Sequence, residues 1–225
     1  MRAMYTYFYQ PDKHYHSKLN KNIALHYVIN VLAMLGAIFL IVILLMSPSI
    51  VSVWNKLSQF DETAISTYKN VADTLIESGN PAVATVWRAP VKADMKIEDI
   101  EKAMDFVAAE YNLKRVGESI LFDDKNQKIV ESLTGVPYRY SKTYMYCNAV
   151  TAAKMFHHNP AYSAYTPCRI TLIEDAGGQR WLYTLNIDMM IFGGTPLPDD
   201  LKQAALQIRN GIQAIMHYGA TGEMY

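Results

Sequence analysis

From Val31 to Met46 the chain reads VLAMLGAIFLIVILLM, with no charged or strongly polar side chain. Carried back to Ile23, the run tolerates hydrocarbon at every position except His26 and Asn30. At a rise of ~1.5 Å per residue this is a helix of about 36 Å, enough to cross a bilayer core of about 30 Å with some tilt. Inside hydrocarbon every backbone N–H and C=O must be paired within the segment, so the stretch is predicted to be helical. It divides the chain into a short arm and a large remainder. A retained anchor is expected rather than a cleaved signal: the run exceeds a usual signal core, a long arm precedes it, and Ser47-Pro48-Ser49 gives no small-x-small site.

Orientation follows from charge. Arg2, Lys13, Lys18 and Lys21 stand before the run against Asp12, whereas Lys56, Asp61 and Glu62 follow it. The basic excess predicts an N-terminus in the cytoplasm and a C-terminal domain outside the inner (plasma) membrane, in the periplasm or its extracytoplasmic equivalent. Tyr27 and Trp54 lie near the two ends, where amphipathic rings favour the headgroup region.

The remaining length suffices for one domain with a real core. Among 225 residues, 21 Lys plus Arg balance 21 Asp plus Glu, which argues against a dedicated nucleic-acid binder. The arm, residues 1–22, carries Tyr5, Tyr7, Phe8 and Tyr9 and is too short to bury them in a core of its own. It is expected either to be loosely ordered or to lie against the membrane or a partner, with Tyr5, Tyr7, Phe8 and Tyr9 as the docking residues. Within the anchor, residues 23–46, Asn30, Ala33 and Ala37 share one face. Small residues permit close helix approach, and an amide in lipid seeks a hydrogen bond. Two readings of that face stand: packing against other membrane subunits, or an Asn30 that meets interfacial water.

Residues 47–81 read as a connector with one helix, opened by Asp61-Glu62-Thr63 and stopped by Gly79-Asn80-Pro81. The domain occupies 82–225. Ala82 to Val91 has strand character. Met95 to Asn112 is an amphipathic helix, with Asp94 placed to cap it. Leu113 to Phe122 and Lys142 to Asn148 read as strands, Val150 to His158 as a helix, and Arg169 to Glu174 with Arg180 to Asn186 as a hairpin about Gly177-Gly178. A last helix runs from Pro198-Asp199-Asp200 to Tyr218, with Gly219 as its stop. This order predicts an α+β domain: a mostly antiparallel sheet with helices on one face.

Several segments then carry a family resemblance: Tyr144-Met145-Tyr146-Cys147-Asn148, His158-Asn159-Pro160-Ala161-Tyr162, Thr166-Pro167-Cys168-Arg169-Ile170, and Trp181 through Ile191 with its Asn186-Ile187-Asp188-Met189 core. From about Val86 onward the chain resembles the family called domain of unknown function 302, in a membrane-anchored branch. The resemblance implies a compact α+β fold with β-α-β units. It implies no reaction.

The two cysteines, Cys147 and Cys168, both fall in these segments. Three states stay open for them: a disulfide, buried free thiols, or a reactive or metal-bound pair. If the strands they bound are antiparallel neighbours, the thiols share one end of the sheet. Arg169, Asn186 and Asp188 are candidate ligand-pocket residues. No catalytic residue, metal site or cofactor motif is read: the sequence has no closely spaced Cys pair, no His-Glu-x-x-His, no phosphate-cradling loop and no Gly-x-Ser-x-Gly elbow. Two functions are therefore carried forward. One is a non-enzymatic, membrane-anchored accessory or scaffold subunit of an envelope complex, electron transport included. The other is a tethered small-ligand-binding or thiol-redox domain. A pocket at Cys147, Cys168 and Arg169 would favour the second, a flat aromatic surface the first.

Overall fold

The computed structural model describes residues 13–223, with side chains from residue 25 onward except that of Ser47. The aromatic arm residues Tyr5, Tyr7, Phe8 and Tyr9 lie outside this range. Two compact units result, split between Ser58 and Gln59.

The first unit is the helix α1, Lys13–Leu57. Its segment Leu25–Met46 is long and apolar enough to cross a membrane, and none of that segment is buried. Asn30, Ala33 and Ala37 are all exposed on it. The helix outruns the anchor read from the sequence at both ends. It continues through Pro48, which has no N–H to offer the carbonyl of Leu44.

The second unit contains α2 (Ala64–Ser78), α3 (Pro81–Ala84), β1 (Val86–Pro90), α4 (Ile97–Glu110), β2 (Lys114–Phe122), α5 (Gln127–Thr134), β3 (Tyr140–Cys147), α6 (Ala149–His158), a 3-10 turn (Pro160–Tyr165), β4 (Cys168–Glu174), β5 (Arg180–Leu185), α7 (Asp188–Phe192) and α8 (Asp199–Thr221). The strands form one antiparallel sheet in the order β1-β5-β4-β3-β2. α4 alone separates β1 from β2 in sequence, yet these are the two edge strands, so the connection carrying α4 spans the width of the sheet. The α+β reading holds, with α4 and α8 packed together over one face.

Alternation along β3 explains that face. Lys142, Tyr144 and Tyr146 are buried, as are Ile170 and Leu172 on β4 and Leu182 on β5. They meet Ile100, Met104 and Val107 of α4 and Ile212, Ile215 and Met216 of α8. The tyrosines bury their rings and keep their hydroxyls bonded: Tyr144 donates to Glu101 Oε1 at 2.8 Å and Tyr146 to Asp105 Oδ1 at 2.8 Å. Lys142 Nζ donates to the same Glu101 oxygen at 2.9 Å, and Arg115 lies 2.7 Å from Asp105 Oδ2. Burial alone would raise the Glu101 carboxyl, but the bonds from Lys142 and Tyr144 outweigh it and hold the group below its usual range.

Three local expectations are corrected. Asp94 does not cap α4; the helix begins at Ile97, and its N-cap residue, Lys96, makes no side-chain cap bond. The first residues of the expected strand 82–91 are instead the short helix α3, because Pro81 sits at its first turn and Asn80 Oδ1 accepts from the Ala82 N–H at 2.9 Å. Gly219 does not stop α8, which runs to Thr221 and ends on Gly222 at φ 71°. Gly219 is instead a contact glycine. A Cβ there would stand 2.6 Å from Met104 Cγ and 3.0 Å from Leu182 Cδ1.

The helix read in the connector is α2, and it belongs to the second unit. Ala64 and Thr67 are buried, Tyr68 donates to the Gly193 carbonyl at 2.8 Å, and buried Asp61 accepts from Lys202 of α8.

Candidate functional site

β3 and β4 are antiparallel neighbours, and Tyr146 is the register partner of Cys168. The chain between them turns back by two side-chain caps. Asn148 Oδ1 accepts from the Thr151 N–H at 3.0 Å to start α6, and its Nδ2 donates to the Asn112 carbonyl at 3.0 Å. Asn159 Oδ1 accepts from the Ala161 N–H at 2.9 Å to start the 3-10 turn. A cis Thr166–Pro167 bond leads into β4. Cys147 and Cys168 thus stand at the same end of the sheet, and both are free thiols.

Above them lies a cavity of about 80 Å³ with mostly apolar walls. Tyr146, Cys147 and Cys168 come from the sheet. Thr151, Ala152 and Met155 come from α6, Tyr162 and Tyr165 from the 3-10 turn, Met190 and Ile191 from α7, and Ala205 and Ile208 from α8. The cavity marks the junction of two hydrophobic clusters, the main core and a smaller one built on Ile191, Leu197, Leu201 and Ala205. Tyr162 donates to the Met190 carbonyl at 3.2 Å and ties two walls together. An open cleft of about 300 Å³ adjoins it, sharing Tyr162, Tyr165 and Met190 and adding Asn159, Met189 and Thr195.

Burial pushes the Cys147 thiol up. It pushes Cys168 up to about 11, helped by the repulsion a charge on Cys147 would exert and opposed by the positive charge of Arg169. Both are therefore thiols rather than thiolates near neutral pH, which suits packing or ligand contact better than nucleophilic attack.

The other sequence candidates are placed elsewhere. Arg169 alternates away from Ile170 and is exposed, and its carbonyl accepts from Thr184 Oγ1 at 2.8 Å. Asn186 Oδ1 accepts from the Asp188 N–H at 2.9 Å and starts α7. Asp188 takes Arg209 of α8 in a two-point pair, Nε to Oδ1 at 2.5 Å and Nη2 to Oδ2 at 3.3 Å, and that guanidinium lies 5.7 Å from the Trp87 ring centre. The Asp188–Arg209 pair braces α7 against α8, and none of Arg169, Asn186 and Asp188 lines the cavity. Met155, Tyr162, Tyr165 and Met190 do line it and were not singled out. Tyr162 does stand within a segment that carried the family resemblance, as does Met190.

No three His, Cys, Asp or Glu side chains gather into a metal-holding group among the described residues. No buried side-chain nitrogen or oxygen among them lacks a partner.

A two-layer α+β domain with an apolar cavity at one end of its sheet is the class that the fold and site define. The family model for domain of unknown function DUF302 matches residues 91–217, and the chain belongs to that family. A crystal structure of the uncharacterized conserved protein DUF302 from Bacillus stearothermophilus is similar at 13% identity, with a TM-score of 0.43, over 59% of this chain and 96% of that one. No curated protein matches the chain.

Proposed function

We propose that the chain is a membrane-tethered small-ligand-binding domain whose working site is the cavity over Cys147 and Cys168. The observation that carries this reading is the cavity itself, walled by five structural elements and holding both cysteines. Apolar cavities of about 150 Å³ stay dry and take up small apolar molecules. This one is smaller, but it continues into the neighbouring cleft past Tyr162 and Met190. The fitting ligand has a short apolar end for the cavity and a polar end for the cleft, near Asn159 and Thr195.

A series of straight-chain alcohols tests this on the full-length protein in detergent micelles, read by the slowing of Cys168 alkylation. Each methylene accommodated contributes about 0.8 kcal/mol, close to a fourfold gain in affinity, until the cavity is full. Ala152→Phe, which fills the space from α6, is expected to abolish the trend. Equal protection in that variant, or none in the parent, would sink the reading.

The tether is α1, in the orientation set by the basic residues before it, with the domain on the extracytoplasmic side as in a membrane-anchored branch of the family. Reporter fusions at the two termini decide this; a cytoplasmic C-terminus overturns it. A second reading, an accessory subunit docked to other membrane proteins, is supported by the exposed Asn30, Ala33 and Ala37 on α1. Ala33→Leu with Ala37→Leu would then reduce partner recovery from gently solubilised membranes and leave insertion intact.

A further inference from the structure

We propose that the open face of the sheet is a docking surface for a protein partner that presents carboxylates around an apolar centre. This surface does not involve the cavity and stands or falls apart from it.

The helices α4 and α8 cover the face that bears Tyr144, Leu172 and Leu182. Alternation within the strand register puts Thr143, Met145, Thr171, Ile173, Trp181 and Tyr183 on the opposite face, together with Arg88, Lys114 and Arg169. The first six are half-buried and the three cations are exposed. An antiparallel sheet face that meets only water usually reads polar. Here the middle is apolar and aromatic. Trp181 is the register partner of Ile173, and the Trp181 and Tyr183 ring centres lie 6.5 Å apart.

Charge is sorted between the two faces. Both carboxylates of the strands, Glu118 and Glu174, lie on the helix side, opposite Tyr144 and Tyr140 in register. There they pair with Lys142 and Arg180, while Arg115 pairs with Asp105 of α4. The open face of the strands holds no Asp or Glu. Among the described residues Arg88, Lys114 and Arg169 take part in no ion pair, and Arg88 instead lies 5.7 Å from the Trp181 ring centre.

Cations without an acid on their own chain are complementary to an anionic partner. The composition favours a protein. Interface cores gather Trp, Tyr, Met and Arg and shed Asp and Glu, and Trp, Tyr and Arg carry most of the binding energy. A second copy is a poor match, because a two-fold pairing of this face sets its arginines against each other. Five strands at about 4.8 Å spacing and about 3.3 Å per residue make a face of roughly 24 by 20 Å, the footprint of a small, reversible interface.

The test is photo-cross-linking of the full-length chain in its native cells. Tyr183→p-benzoylphenylalanine places the probe on the open face, and Lys102→p-benzoylphenylalanine places it on the exposed side of α4 as a control. One dominant cross-linked protein is expected from the Tyr183 position alone, through a peptide that carries Asp or Glu beside apolar residues. Arg88→Glu with Arg169→Glu should cut the yield about tenfold, with an unchanged circular dichroism spectrum. Lys114→Glu with Arg169→Glu, which leaves the Arg88–Trp181 contact in place, should do the same. No cross-link, a cross-link to lipid, to nucleic acid or to a second copy of this chain, a partner peptide without Asp or Glu, the same product from the Lys102 position, or full yield in both charge-reversed variants would overturn the assignment.

Discussion

Tyr144 donates its hydroxyl to Glu101 across the layer between β3 and α4, at 2.8 Å, and Lys142 reaches the same carboxylate oxygen. The ring of Tyr144 is fully buried while its hydroxyl ends in an ion cluster, so one residue supplies both packing area and registry between sheet and helix. Tyr144→Phe keeps the area and removes a bond to a charged acceptor. A loss of about 1.5–3 kcal/mol is expected in chemical denaturation of the full-length protein in micelles. Tyr144→Ala should cost about 3–5 kcal/mol, on the scale of aromatic truncations in cores. A Tyr144→Phe protein as stable as the parent would show that Lys142 alone satisfies Glu101.

Asp61 gives the domain an acid-sensitive link between the segment before α2 and α8. The hydrogen bond from Lys202, with those from Thr63, holds its carboxyl at about 2, below the ordinary 3.8. A depressed carboxyl stabilises the fold above its unfolded value and loses that contribution as pH falls. The loss should therefore fall between about pH 4 and pH 2. Asp61→Asn or Lys202→Met should flatten the pH dependence of the denaturation midpoint in that window. An unchanged acid limb in both variants would refute the link.

Gly219 should tolerate no side chain without movement. The added methyl of Gly219→Ala meets Met104 and Leu182, and overpacking of this kind costs about 1–3 kcal/mol. Gly194→Ala is the control, since a Cβ there meets nothing within 4 Å. Equal melting temperatures for the two variants would mean that α4 and α8 yield freely at their contact.

The two free thiols should alkylate slowly. With Cys168 at about 11, only about one molecule in ten thousand carries that thiolate at pH 7. Iodoacetamide modification of Cys168 should accelerate about tenfold per pH unit from neutrality toward pH 10. Fast, pH-independent labelling of either cysteine in the folded protein would contradict the buried neutral state.

What the residues settled by themselves was local. An unbroken apolar run can only be a helix when hydrocarbon surrounds it, and this held for Val31 to Met46 as far as helix formation goes. The periods of α4 and α8, the Gly177-Gly178 turn and the alternation of Tyr144 with Tyr146 each follow from backbone geometry acting over a few residues. Asn80 as a cap and Gly219 as a packing contact did not, because a glycine that ends a helix and one that admits a neighbour look alike in sequence. The site was half visible. Both cysteines stood in distinctive segments, but whether they shared one end of the sheet depended on strand direction, which only long-range pairing decides. Arg169, Asn186 and Asp188 looked like pocket residues because they are polar and close to those segments. The alternation of β4 and the Arg209 pairing turned them outward or tied them into a brace. Met155 and Tyr162 lie close in sequence, but Met190 stands 28 residues beyond Tyr162, and the packing of α6, the 3-10 turn and α7 over the end of β3 and β4 made them neighbours.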